Sequence, residues 1–220
     1  MTLPSSPRLV KAGLIVLDPK SGAQLRTIAL QYNPDSLSVS YQVQGVGGEG
    51  GGDRAQPFRL KGPAIQTIKL EAEIDATDAL EQPGQHATAV EFGVAPQLAV
   101  LESLVNPTVA ELMALKAQAS SGTLEILPPE APLVLFVWSA SRVVPVRVTD
   151  FAITEEAFDP QLNPMRAKVS LGLRVMSTDD LGFDHRGGAL FINHLRTREA
   201  LAAKAAPASL QALGISGIPS

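Results

Sequence analysis

The chain contains no cysteine among its 220 residues. This absence excludes disulfide bonds, thiolate metal sites and a cysteine nucleophile together. Hydrophobic residues make up 45% of the chain, which is a share typical of globular proteins rather than disordered ones. The strands and helices can therefore bury a sizeable core without covalent cross-links.

Two further features are missing, a concentration of basic charge and a long apolar run. The net charge is −4, and the 18 basic residues are scattered rather than clustered, so nucleic acid is not an expected partner. The longest apolar run, residues 133–138, is too short to cross a bilayer, and residues 1–8 lack the apolar centre of a signal peptide. We therefore expect synthesis in the cytoplasm and no membrane insertion.

What the sequence does contain is alternation of apolar and polar residues. It runs through residues 37–43, 68–75 and 167–175, and predicts strands with one buried and one solvated face. Residues 13–17 and 133–138 are continuously apolar and predict strands that are covered on both faces. Val144, Val146 and Val148 share one register but Phe151 and Ile153 take the other, which predicts a β-bulge near Asp150.

Helical patterns are fewer. Val94, Leu98, Leu101 and Val105 fit a 3.6-residue period, and Asn106-Pro107 favours the start of a second helix. An alanine- and leucine-rich stretch at 191–205 predicts a third. The sequence thus predicts a mainly β, α+β fold: an antiparallel β-sandwich or barrel with two or three short helices and a C-terminal helical extension.

Residues 44–64 are rich in glycine and lie between two predicted strands, which indicates a long flexible excursion from the sheet. Residues 45–50 match the pattern GxGxxG. A dinucleotide site needs that turn to open a helix, and the glycines and Pro57 that follow are not helical. No cofactor is therefore expected.

Three groups of residues suggest other functions, namely hydrolysis, metal binding and sugar binding. Glu155, Glu156 and Asp159 are close carboxylates that a hydrolase would need, although neighbouring acids at a strand end are far more often solvated. An acidic turn before His185 offers oxygen ligands without a known metal spacing, so no metal site is expected. Trp138 would suit stacking on a sugar, but core or subunit-interface packing is favoured.

Short motifs, in order, carry a family resemblance. LQYNP at 30–34 followed by LSVS at 37–40 resembles the opening of contractile injection system tube proteins. Residues 134–138 (VLFVW), 145–148 (PVRV) and 158–167 (FDPQLNPMRA) resemble the second half of that domain. The resemblance covers about residues 8–178. Residues 179–220 do not resemble the LysM module that many family members carry.

The resemblance implies a structural subunit of a phage-tail-like particle that is not an enzyme. It would join the inner tube and spike hub to the baseplate and bind copies of itself in a ring of six, the spike hub, the inner tube and baseplate wedge proteins. We expect residues 8–178 to form the β-rich domain and residues 179–220 a helical arm with a flexible tail. A carbohydrate- or peptidoglycan-binding module of such a particle is the alternative. The candidate interaction residues are Tyr32, Asn33, Pro34, Gly48, Gly51, Arg54, Phe58, Trp138, Phe158, Asp159, Pro160, Asn163, Pro164, Phe191 and Leu195.

Overall fold

The computed structural model describes residues 9–46, 58–120 and 130–218, and their fold is mainly β of the α+β class, as predicted. The strands are β1 (Gly13–Leu17), β2 (Gln24–Ala29), β3 (Ser38–Gln42), β4 (Gly45–Val46), β5 (Arg59–Leu60), β6 (Ile65–Asp75), β7 (Leu133–Ser139), β8 (Arg142–Phe158) and β9 (Pro164–Val175). The helices are α1 (Thr77–Leu80), α2 (Ala87–Phe92), α3 (Ala95–Glu102), α4 (Val109–Ser120), α5 (Thr178–Leu181) and α6 (Arg186–Ala202), with a 3₁₀ helix at Leu210–Leu213. In this described part of the chain, no helix combines the length and apolar character needed to span a membrane.

Seven strands form one antiparallel sheet in the order β2-β1-β7-β8-β9-β6-β3. β4 and β5 form a separate two-stranded ribbon. Within the described residues the edge strands β2 and β3 each pair with one neighbour only. The strands therefore form a single seven-stranded sheet, because the long strand β8 pairs with both β7 and β9 and joins the two halves. The predicted packing of this sheet as a sandwich or barrel stays a prediction.

The predicted alternation is confirmed in β6 and β9. Every second residue of β6 from Gln66 to Ile74 is buried, while Lys69 and Glu71 between them are exposed. β9 buries Ala167, Val169, Leu171 and Leu173 in the same way. These inward side chains form the centre of the main core cluster.

β1 and β7 are buried on both faces, as their continuous apolar sequences predicted. Leu14 and Phe136 belong to the main cluster, and each is only 1% exposed. Leu17, Leu133 and Leu135 form a second cluster on the opposite face, where residues of α5 and α6 pack against it. This explains why neither strand carries a polar residue at alternate positions.

The predicted bulge is confirmed where β8 parts from β7. β8 pairs with β7 only as far as Val146 and continues to Phe158 beside β9 alone. The register of the β8–β9 pair shifts between Val148 and Asp150, and the extra residue, Thr149, donates its hydroxyl to the Gly172 carbonyl at 3.2 Å. A bulge bends its strand, so β8 changes direction where its pairing with β7 ends.

Gly172 is the residue that makes room for this bulge, and a Cβ at that position would lie 2.7 Å from the Asp150 Cβ. We predict that Gly172→Ala lowers the free energy of unfolding by about 1–3 kcal/mol, because the two strands must move apart. Urea denaturation measures the change. Ser170→Ala, on the same face of β9 and exposed, is the control, and an equal effect of both substitutions would contradict the explanation.

The second half of the sheet has one polar face. We call β3, β6, β9 and residues 147–158 of β8 the four-stranded half, and its solvated side the polar face. The polar face pairs acids with bases across neighbouring strands: Arg166 with Asp75 at 2.8 Å and Lys168 with Glu156 at 3.3 Å. Its other charged residues are Lys69, Glu71, Glu73, Arg147, Asp150 and Arg174, so five acids face five bases.

The buried face of the sheet is covered by helices. Leu98 and Leu101 of α3 and Phe191 of α6 belong to the main core cluster. The predicted helix near residue 94 is therefore confirmed. The predicted start of the next helix is wrong, because Thr108 rather than Asn106 caps α4 and exchanges hydrogen bonds with Glu111.

α6 is not a free arm where it begins. Phe191 is 4% exposed and His194 6% exposed, and α6 packs against β8. The predicted helical arm is therefore fixed to the sheet at its start, because the Phe191 side chain fills the core under the helix. The exposed chain that follows, residues 203–218, contains the 3₁₀ helix. A domain boundary at residue 178 remains a prediction.

His194 makes the docking of α6 sensitive to acid. Its Nδ1 is buried and has no hydrogen-bond partner among the described residues. Burial lowers the pKa of His194, and the nearby guanidinium groups of Arg198 on α6 and Arg142 on β8 lower this pKa further. The unfolded chain therefore binds a proton more readily than the folded one.

We predict that neutral His194 has its full stabilising effect on the fold when the pH is above the pKa of this histidine in the unfolded chain, near 6.5. This stability is lost as the pH falls below that value. The free energy of unfolding of the wild type should fall between pH 7 and pH 5 more steeply than that of His194→Leu. Urea denaturation across this range measures the difference. His86→Asn, which removes an exposed histidine, should keep the wild-type slope; the same slope in all three proteins would contradict the assignment.

Candidate protein-interaction site

The corner that precedes β3 is fixed by side chains bonded to distant backbone. Asn33 accepts from the Ala12 amide at 2.9 Å and donates to the Val10 carbonyl at 2.8 Å. Gln31 donates to the Asp75 carbonyl at 2.8 Å and accepts from the Asp75 amide at 3.0 Å. The motif QYN therefore ties the start of β1 and the end of β6 to one corner.

Tyr32 stands between these two clamps and is 44% exposed. Its hydroxyl donates to Asp78 at 3.0 Å, and this hydrogen bond raises the pKa of Tyr32. The ring is therefore held in one orientation with part of its face in solvent. An aromatic group held in this way is a common anchor in protein interfaces.

The turn between β8 and β9 is built around one carboxylate. Asp159 accepts from the amides of Gln161 and Asn163, both at 2.8 Å, and from the Asn163 side chain at 2.9 Å. The Asn163 amide group is the main cause that lowers the pKa of Asp159. Asn163 also donates to the Glu91 carbonyl at 3.0 Å, which fixes the turn to α2.

Pro164 closes this turn from below. It is buried, and its carbonyl accepts from the Val94 amide at 2.8 Å. Gly93 allows the approach, since a Cβ there would lie 2.1 Å from the Pro164 oxygen and its φ of +57° is in the left-handed region. The α2–α3 corner is thus seated directly on the base of the hairpin.

The structure brings the two predicted motifs to the same end of the sheet. Asp75 connects them, because Gln31 holds its backbone while its carboxylate accepts from Arg166 Nε at 2.8 Å, and Arg166 lies just after the β8–β9 turn. The Ala76 amide also donates to the Met165 carbonyl at 2.9 Å. We call this end of the molecule the turn end.

A groove runs from the turn end onto the polar face and has a volume of about 350 Å³. Its chemistry is that of a charged surface, with Asp35, Glu71 and Glu73 on one side and Lys168 on the other. It is open to solvent and lies beside the unpaired edge of β3. The groove therefore suits contact with another protein's polar side chains.

Of the alternative acids, Glu156 and Asp159 have structural roles, and Glu155 is exposed. Glu156 pairs with Lys168, and both oxygens of Asp159 accept hydrogen bonds within its turn. Asp180 caps α5 together with Ser177 and pairs with Arg174 at 2.7 Å. Across residues 9–46, 58–120 and 130–218 there is no cluster of three or more acids and histidines that could hold a metal ion.

The remaining predicted contact residues are dispersed. Phe58 lies next to β5 and is 60% exposed, while Trp138 is half-buried with its ring centroid 6.1 Å from that of Phe136. Leu195 is 38% exposed on α6, whereas Phe191 is in the core and not available to a partner. Gly48, Gly51 and Arg54 lie outside the described residues. Phe158 and Pro160 are exposed at the turn end, and the contact roles of all these exposed residues stay predictions.

No individual role was predicted from the sequence for Gln31, Asp75, Arg166 or Leu162. The first three connect strands far apart in the chain, and no local pattern marks such partners. Leu162 has a φ of +66°, which is rare for a residue with a side chain, and it is 77% exposed. An apolar residue in the middle of a proline-flanked turn was the one local signal for it.

We predict that Asn163→Ala lowers the free energy of unfolding by about 1–2 kcal/mol, because it removes the side-chain hydrogen bonds to the Asp159 carboxylate and to the Glu91 carbonyl. Amide hydrogen exchange should increase most in residues 157–165. Gln161→Ala is the control, since Gln161 contributes its backbone amide to the same turn. Unchanged protection of the turn in Asn163→Ala would count against this account.

A family model for contractile injection system tube proteins matches residues 8–183. No curated protein sequence matches the chain. Among solved structures, a chain from the tail of an empty gene transfer agent particle with C6 symmetry is 14% identical with a TM-score of 0.31, and one from the virion of a native gene transfer agent particle is 11% identical with a TM-score of 0.29. Each alignment covers 74% of this chain and 90% of the other.

Proposed function

This chain belongs to the contractile injection system tube protein family, and we propose that its copies form a closed ring that joins the inner tube and spike hub to the baseplate. The family is one of structural tube proteins of phage-tail-like particles and not of enzymes. The chain is thus a structural tail or tube component. The ring and the adaptor role are our proposal.

One observation carries the proposal: the four-stranded half has an unpaired edge on each side. On one side β3 pairs, among residues 9–46, 58–120 and 130–218, only with β6. On the other, β8 beyond Val146 pairs only with β9 in the described part of the chain. Unpaired backbone N–H and C=O groups along an edge are ready to accept a strand from another chain.

Joining these two edges gives a ring. If β3 of one copy pairs with the outer part of β8 of the next, the interface is heterologous, because two different surfaces meet. A heterologous interface gives a ring when the rotation between copies closes and an open filament when it does not, and closure with six copies requires a turn of 60° per copy. The bend at the Thr149 bulge supports a curved sheet rather than a flat one.

The faces of the sheet set its orientation in this ring. Because α3 already covers the apolar face of the four-stranded half, this helix belongs on the outside and the polar face lines the bore. Five acids and five bases on that face leave the bore without a strong net charge. A bore with this lining allows another component to pass through without binding it tightly.

The two ends of the ring are different, which suits an adaptor. The turn end presents Tyr32, Phe158 and Pro160 on a rigid support, and the other end presents Phe58 beside the ribbon. We propose that, at the two outer ends of the assembled rings, these surfaces meet the inner tube and spike hub on one side and baseplate wedge proteins on the other. The finished subunit is then part of a phage-tail-like particle, after synthesis in the cytoplasm.

A pair of proline substitutions tests the ring. In an edge strand, neighbouring residues direct their N–H groups to opposite sides, so one of Ser40 and Tyr41 points to β6 and the other points outward. We predict that one of Ser40→Pro and Tyr41→Pro unfolds β3, while the other keeps the wild-type fold and loses the closed ring. Circular dichroism reports the fold, and native mass spectrometry reports the number of copies.

Complementation of a deletion strain tests the adaptor role. Without the gene, tubes and baseplates should be found apart by electron microscopy, and the folded but ring-deficient variant should not restore joined particles. Leu25→Ser, an exposed substitution on β2, is the control and should restore them. A folded proline variant that still forms rings, or normal particles from the deletion strain, would refute the proposal.

A further inference from the structure

The turn end carries an apolar knob that the fold does not use. Phe158 is 52% exposed and Leu162 77% exposed, and they flank the turn between β8 and β9. We call these two side chains the knob. Neither side chain belongs to a core cluster of the described residues, so more than half of each apolar surface is left in solvent.

The backbone that presents the knob is strained and rigid at once. Ala157 has a φ of +53° and Leu162 of +66°, and neither residue is a glycine. The hydrogen bonds of Asp159 and the link from Asn163 to the Glu91 carbonyl hold this conformation in place. Strained backbone that is held by its surroundings occurs most often at functional sites.

A matching apolar surface lies beside the ribbon. Gly45 is opposite Leu60 in the β4–β5 pair, and Phe58 is two residues before Leu60, so the three share one face. The Phe58 ring lies over Gly45, where a Cβ would be 2.2 Å from the ring. Phe58 is 60% and Leu60 71% exposed. We call this surface the ribbon face.

The knob and the ribbon face lie at opposite ends of the four-stranded half. β6 begins five residues after Leu60 and runs to Asp75, beside the β8–β9 turn. Its 11 residues span about 33 Å at 3.3 Å per residue. The two surfaces therefore cannot meet within one copy, but copies placed end to end along the strand direction bring them together.

Charge at the rims agrees with this pairing. Arg59 and Lys61 are exposed beside the ribbon face, and Glu91 and Asp159 lie beside the knob. A basic rim facing an acidic rim favours one orientation of the two copies. A second copy of this chain thus provides both the apolar and the charged complement.

We infer that the knob of one copy docks on the ribbon face of a second copy in the neighbouring ring. This inference rests on the ring proposed above. This contact stacks rings along the tube axis, and Leu162 and Leu60 are part of it. The interface is heterologous, so it sets one polarity for the stack.

The absence of cysteine in the chain provides a direct test. In the double variant Leu162→Cys with Leu60→Cys, the two thiols of one copy are too far apart to bond, because a disulfide needs Cα atoms within about 7 Å. Mild oxidation of the assembled full-length protein should give a ladder of linked multimers on a non-reducing gel. Leu25→Cys with Leu60→Cys, which places the first thiol on exposed β2, is the matched control and should give several-fold less product.

Native mass spectrometry and electron microscopy of the same samples separate the outcomes. Rings that stack, with a ladder specific to the first pair, support the inference. Closed rings with no more linked product than the control, single rings that never stack, or a ladder that ends at one ring without stacks would overturn it and leave the ring proposal standing. A wild type that forms no closed ring would overturn both.

Discussion

The unequal length of two neighbouring strands governs the rest of this structure. β7 accompanies β8 for its first five residues, and the bulge at Thr149 then turns β8 away while β9 continues beside it. β8 thus has two parts. The first part is buried on both faces, and the later part has one solvated face and an edge that is unpaired among the described residues. Without the bulge the polar face would be directed to the wrong side, because a one-residue change of register exchanges the faces of a strand.

The turn end is held together by hydrogen bonds between residues that are far apart in the chain, rather than by apolar packing. Gln31, Asp75 and Arg166 connect three parts of the chain that the sheet alone would leave separate. Each bond at the surface contributes little, but shared partners fix the geometry of the whole end. This arrangement gives the β8–β9 turn the firm base that a contact surface requires.

The sequence predicted most of the sheet and less of what surrounds it. Alternation in β6 and β9 and the change of register near Asp150 are local signals, and the structure agrees with each of them. α1 and α2 were not predicted, because helices of four and six residues are too short to display a period. The burial of Phe191 was missed for another reason: composition marks a helix but does not say which side meets the sheet.

The candidate site was predicted in part. The motifs around Asn33 and Asp159 were identified from the family resemblance as candidate interaction residues, and the structure adds that they share one end of the molecule. Their partners could not be read from the sequence, since Asp75 and Glu91 contact them across more than 40 residues. Resemblance to a family supplied the class of protein, which no single residue pattern indicates.

The remaining edge strand of the sheet, β2, affects whether assembled particles aggregate with one another. β2 has five exposed residues out of six, and in the proposed ring it is left on the outer wall. An open edge of this kind invites clumping between particles, but β2 is short, carries the charged Arg26, and its Gln24 side chain bonds to Thr27 at 2.9 Å. A short, polar outer edge of this type favours particles that stay dispersed.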